Sequence, residues 1–167
     1  MEDKGLRKQA VRALAECRAA SEETTLALLD SPEQGVQRQA FQSLDQLYVD
    51  RPPDPDFLRS AVEIANQSDD VGIGRRLVTT LFDFDVGAAL VALAELELTD
   101  VGRRRRITDQ LEARQGEIGA SGLMPQALVL ARRCQSTEDS RDWKARLKAF
   151  IARYSEHEVG QDPGASD

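Results

Sequence analysis

One local pattern occurs three times along this chain. The segment Ser31-Pro32-Glu33-Gln34-Gly35-Val36-Gln37-Arg38-Gln39-Ala40-Phe41-Gln42-Ser43-Leu44 aligns without gaps on Ser68 to Leu81, and a third copy runs from Leu98 to Leu111. Each copy opens on helix-starting residues and then spaces its apolar side chains by four: Val36, Ala40, Leu44; Ile73, Leu77, Leu81; and, more weakly, Arg103, Ile107, Leu111. Four-residue spacing keeps one face of a helix on its neighbour. Recurrence at such a period reads as stacked helical units, each too small to bury its apolar face alone. Composition agrees, because 41% of the residues are hydrophobic and only 5% aromatic. The core must then be built from Leu, Val, Ile and Ala, which suits packed helices better than a β-sandwich.

The pattern divides the chain into nine helices. The first spans about 3–20, with Leu6, Ala10, Val11, Leu14 and Cys17 as its apolar stripe. Ser21 opens a short second helix and Pro32 suits the first turn of a third, which runs to about Val49. Asp50-Arg51-Pro52-Pro53-Asp54-Pro55 then interrupts helical structure. Helix four follows from Phe57; Asp69 or Asp70 caps the fifth and Asp85 the sixth, while Thr99 or Asp100 begins the seventh. The sixth is apolar nearly all round, from Val86 to Leu98, which predicts cover on both sides. The seventh carries Arg103 to Arg106 and is expected to end near Gly116 to Gly119. Two amphipathic helices complete the set, with stripes Leu123, Ala127, Leu130, Ala131, Cys134 and Trp143, Leu147, Phe150, Ile151, Tyr154. These readings predict a helical domain over 1–154 and a disordered acidic tail over 155–167.

Asp30, Pro32, Val36, Ala40 and Leu44 resemble the HEAT-repeat family, whose turn of Asp and Pro leads into a second helix patterned Val-Arg, then Ala, then Leu. The resemblance covers roughly residues 21–115, with a degenerate fourth copy near Arg146-Leu147 through Ile151. It implies an all-α, right-handed α-solenoid of about four helical hairpins, or eight to nine helices; an irregular helical bundle is the alternative. The family's Arg after Val is Gln37 in the first copy, Gly74 in the second and Arg104 in the third, so an Asp–Arg ladder between repeats is not expected from these positions.

Arg38, Arg75 and Arg105 hold the same place in the aligned copies, about 160° from the centre of the apolar stripe. They therefore face away from the core. In the HEAT arrangement second helices line the concave surface, so these three, flanked by Arg76 and Arg106, form a row suited to an acidic or phosphorylated segment of a protein partner. A solvated face with local pairs such as Asp100 with Arg104 and Arg105 with Asp109 is the competing reading. Binding of a nucleic-acid backbone through the same row is the alternative function. Trp143, the sole tryptophan, reads as a core or capping residue.

The net charge of −7 opposes a surface built throughout for nucleic acid or anionic membrane, although residues 155–167 alone carry −4. Eighteen Arg against four Lys favour specific pairing over diffuse charge. Cys17 and Cys134 lie far apart in apolar patterns and read as buried thiols. The single histidine, His157, falls in the tail, which removes histidine-based acid–base and triad chemistry. The acid pairs at Asp69 and Asp70, Asp83 and Asp85, and Glu95 and Glu97 are explained by capping or point apart. With no signal-like or 20-residue apolar run, the expectation is a cytoplasmic, non-enzymatic scaffold, adaptor or assembly factor, with no cofactor, metal or membrane.

Overall fold

Short polar side chains start five of the helices in the computed structural model, which describes residues 4–16, 20–48, 53–68 and 70–158. In order these helices are α1 (Lys4–Glu16), α2 (Glu22–Leu29), α3 (Gln34–Leu47), α4 (Pro55–Gln67), α5 (Val71–Phe84), α6 (Val86–Glu95), α7 (Val101–Ala113), α8 (Gln115–Ala120), α9 (Met124–Thr137) and α10 (Arg141–Glu158). The protein is all-helical, with no strand among the described residues. Ser21 Oγ accepts the Thr24 N–H at 3.1 Å, Asp54 that of Asp56 at 2.8 Å, Asp70 that of Gly72 at 2.9 Å, Asp85 that of Ala88 at 2.6 Å and Asp100 that of Arg103 at 2.6 Å. Each satisfies a donor that the helix cannot, and each carboxylate also complements the positive end of the dipole.

The helices form two compact units, Met1–Glu97 and Leu98–Asp167. In the first, α3 packs between α1 and α5 while α4 packs between α2 and α6; α2 also meets α3, α4 meets α5 and α5 meets α6. Two ranks of helices result. The stripe is what joins them: Val36, Ala40, Leu44, Ile73, Leu77 and Leu81 are all buried. At the end of α3, Tyr48 tilts against Phe57 at 5.1 Å and meets Phe84 edge-on at 5.8 Å, which ties the entry of α4 to the exit of α5. Pro53 is buried and Pro55 occupies the first turn of α4, as its fixed φ allows.

Two expectations for this unit need correction. Of the stripe expected for the first helix, Val11 is buried and Leu14 half-buried, but Leu6 is 65% exposed and Ala10 is exposed; Ala15 is buried as well, and α1 packs chiefly on α3. α6 is not covered all round either. Its Val86, Ala89, Leu90, Ala92 and Leu93 are buried against α4 and α5, but Val91 is 63% exposed and Ala94 faces solvent.

In the second unit α9 packs against α7, α8 and α10, and α7 also touches α8 and α10. Ala127, Leu130, Ala131 and Cys134 are buried as expected, together with Leu147 and Phe150 of α10. Burial pushes the Cys134 thiol up to about 12, so it stays a neutral packing group. The described helices number ten rather than eight to nine. The extra one is α8, separated from α7 where Arg114 leaves helical geometry at φ −107°, ψ 15°. α8 closes in a Schellman motif: Leu123 N–H donates to Ile118 O at 3.0 Å and Gly122 N–H to Gly119 O at 3.2 Å, with Gly122 at φ 69°. The helical part of the last element reaches Glu158, four residues past the expected boundary at 154. Cys17, Val49, residues 50–52 of the interruption, Asp69 and the tail beyond 158 lie outside the described residues.

Gly122→Ala is expected to destabilise the protein by about 1 kcal/mol, since a Cβ is strained at positive φ although open space surrounds it. Gly116→Ala, in a helix and equally open, should stabilise by about 0.5–1 kcal/mol. Urea denaturation of both variants checks the pair, and effects of equal sign would contradict the motif.

Candidate functional site

Arg38 projects from α3 toward the start of the next helix in its rank. Its guanidinium holds Asp70 at 2.6 Å, and the same carboxylate caps α5 through Gly72. The hydrogen bond from Arg38 holds Asp70 below the usual carboxylate range, against the raising effect of burial. Beside it Ser68 Oγ donates to Gln37 Oε1 at 3.0 Å. Arg7 of α1 makes the corresponding ion pair to Glu33, which precedes α3. An Arg–acid link between successive helices therefore exists, shifted by one residue from the position that the family pattern uses.

Arg38 and Arg76 meet in a cavity of about 160 Å³ between α3 and α5, whose walls include Phe41, Gln42, Gly72 and Ile73. Arg75, next along α5, is exposed and Arg76 is half-buried. Three of the five arginines singled out in the sequence thus share the α3–α5 rank. Arg105 and Arg106 belong to α7 in the second unit; Arg106 is exposed, whereas Arg105 is drawn into a different cluster.

That cluster was not legible in the sequence. Arg103 and Arg104 are only 5% and 3% exposed; the first agrees with its stripe position, the second departs from the solvated pairing with Asp100. Arg103 fills the stripe position of its copy, beside buried Ile107 and Leu111. Arg104 Nη1 donates to Leu98 O at 2.5 Å and Thr99 O at 2.8 Å, and its Nε lies 3.7 Å from Glu138, which is 2% exposed. Arg105 approaches the same carboxylate at 3.6 Å. The long-range partner displaces the local pairs with Asp100 and Asp109. Burial raises the pKa of Glu138, but the Ser140 N–H, Arg105, Arg104 and the Asp139 N–H outweigh it and hold the group below its ordinary value.

Trp143 is half-buried rather than core, and it sits between two cations, with Arg105 at 5.3 Å and Arg146 at 4.0 Å from the ring centre. Arg146 in turn donates to Asp109 at 2.9 Å and to both oxygens of Glu112, which raises its pKa further. One sequence signal pointed here: Glu138 stands just ahead of a strongly amphipathic helix, where acids accept free backbone donors. Chemically the cluster is a network of paired charges, with the Nε atoms of Arg104 and Arg105 buried and without a hydrogen-bond partner, and it is suited to holding α7 against α9 and α10. No group of three or more His, Cys, Asp or Glu among the described residues could hold a metal ion. No helix among them is long and apolar enough to cross a membrane. Compared with models of protein families, with curated proteins and with solved structures, the chain matches none.

Glu138→Ala leaves Arg104 buried without its carboxylate and should cost about 3–5 kcal/mol in chemical denaturation at neutral pH. Because the folded pKa of Glu138 is depressed, its stabilisation is complete above its ordinary value of 4.5 and disappears as pH falls through the lower folded value. Glu138→Gln should therefore flatten the loss of stability below about pH 4.5. An unchanged acid limb in that variant would show that the pair contributes nothing.

Proposed function

We propose that this protein is a non-enzymatic interaction scaffold of HEAT-like helical hairpins that binds an acidic or phosphorylated segment of another protein. The carrying observation is the α3–α5 cavity, in which Arg38 and Arg76 flank the apolar Phe41 and Ile73, with exposed Arg75 beside them. Guanidinium groups beside apolar walls suit a carboxylate or phosphate carried next to an aliphatic or aromatic side chain. Arg38 is already paired with Asp70. Arg106 is exposed too, but it belongs to α7 of the second unit. Arg105 is committed to Glu138 and Trp143, and on this reading it supports the fold rather than the partner.

The two-rank pairing of α1, α3, α5 and α2, α4, α6 supports solenoid stacking in the first unit. A scaffold role also fits the engagement of the buried Arg104 and Glu138 in a structural pair.

Arg75→Glu should weaken binding of a glutamate-rich or phosphoserine peptide by about tenfold or more, with the melting temperature unchanged because Arg75 is exposed. Fluorescence anisotropy with labelled peptides measures this. A single-stranded oligonucleotide run in parallel separates a protein partner from a nucleic-acid backbone, whose binding would fall steeply with salt. Unaltered peptide binding in the variant would end the proposal.

A further inference from the structure

The rank formed by α2, α4 and α6 differs in charge from the rank formed by α1, α3 and α5. Residues 20–30, 53–67 and 85–97 carry nine acidic side chains against one basic, Arg59, a net of −8. Residues 4–16, 31–48 and 70–84 carry seven basic against five acidic, a net of +2. Eight of the nine acids, Glu22 excepted, are exposed. On this acidic rank two clefts lie on either side of α4. Between α4 and α6 is an apolar cavity of about 270 Å³, walled by Pro55, Leu58, Ala88, Val91 and Ala92 and edged by Glu95 and Arg59, which pair at 3.6 Å. Between α2 and α4 a second cavity of about 350 Å³ is lined by Leu26 and Ile64 together with Asp30 and Glu63.

We propose that this face docks a basic amphipathic helix of another protein, distinct from the acidic partner assigned to the arginine side. The apolar cavity is smaller than most small-molecule sites, which run from about 300 to 1,000 Å³, and fits a large aliphatic or aromatic anchor. Val91, 63% exposed at its edge, supplies the apolar contact that solvent otherwise wets. Asp30 and Glu63 in the neighbouring cleft meet Lys or Arg placed one or two turns from the anchor, the spacing of helix-in-groove recognition. A second copy of this chain is the wrong occupant: a self-complementary contact would bring two faces of −8 together.

The test uses the full chain and a fluorescent 18-residue peptide of Lys and Leu at amphipathic spacing, with a Glu-for-Lys counterpart. The basic peptide should bind with a steep salt dependence and the acidic one should not. Val91→Asp should weaken binding by about tenfold or more, by placing a charge at the apolar contact. The surface pair Asp30→Lys with Glu63→Lys, which threatens no core residue, should weaken it as well and flatten the salt dependence. Val129→Asp, on exposed α9 surface, should have no effect. Circular dichroism checks that each variant is folded. Equal binding of the two peptides, no binding of the basic peptide, or indifference to the Asp30 and Glu63 pair would overturn the proposal. So would a dimer in sedimentation velocity that Val91→Asp abolishes, which would assign the face to a second copy.

Discussion

The structure rests on a stripe of side chains four residues apart that recurs from one helix to its counterpart. Val36, Ala40 and Leu44 on α3 are buried, as are Ile73, Leu77 and Leu81 on α5. Each fully buried Val, Ile or Leu stabilises by about 1.5–3 kcal/mol, which no single helix of 13 or 14 residues could realise without a neighbour. Register follows from this requirement. A helix that slid by one residue past its neighbour would turn the stripe toward solvent and carry Arg38 away from Asp70.

Polar links are layered on that apolar register, and they use the same residues twice. Asp70 caps α5 and receives Arg38 from α3; Glu138 accepts the Asp139 and Ser140 N–H groups ahead of α10 and receives Arg104 and Arg105 from α7. An acid at a helix start is already favoured by the dipole. Placing it within reach of an arginine on a preceding helix adds a tertiary contact without a second desolvated carboxylate. In the second unit this device goes furthest, because Arg104 is buried and its backbone-carbonyl partners, Leu98 and Thr99, belong to the segment that leads into its own helix.

Much of the local structure was legible in the residues. The caps at Ser21, Asp70, Asp85 and Asp100, the stripes of α3, α5 and α9, and the all-helical class follow from short-range rules that the tertiary structure left standing. The misses share a cause. Leu6, Val91 and Arg104 were assigned sides by hydropathy, but their sides are set by how many neighbours each helix has: α1 has one rank-mate, α6 leaves part of its circumference open, and α7 turns arginine stems inward toward Glu138. A long aliphatic stem lets arginine fill an apolar position while its head finds oxygen acceptors, a dual character that hydropathy does not record. The break between α7 and α8 was hidden for another reason, since Arg114 has no helix-breaking chemistry of its own and the signal lies in the glycines that follow.

Alternating helices between two ranks also explains why charge can segregate within one small unit. Consecutive helices in the chain fall on opposite ranks, so a sequence that alternates in charge from helix to helix becomes a body with two unlike faces. The sequence supplies the difference: 20–30, 53–67 and 85–97 carry −3, −2 and −3, whereas 4–16 carries +3, 31–48 carries −1 and 70–84 is neutral. Local pairing would cancel such an asymmetry if the arginines met the acids of the other rank. Two of them instead meet acids within their own rank, Arg7 with Glu33 and Arg38 with Asp70, and the acidic rank has Arg59 as its internal counter-charge. The uncompensated acids are exposed, where water screens their mutual repulsion, so holding them on one face costs the fold little while leaving a field that a basic partner would feel over about a Debye length.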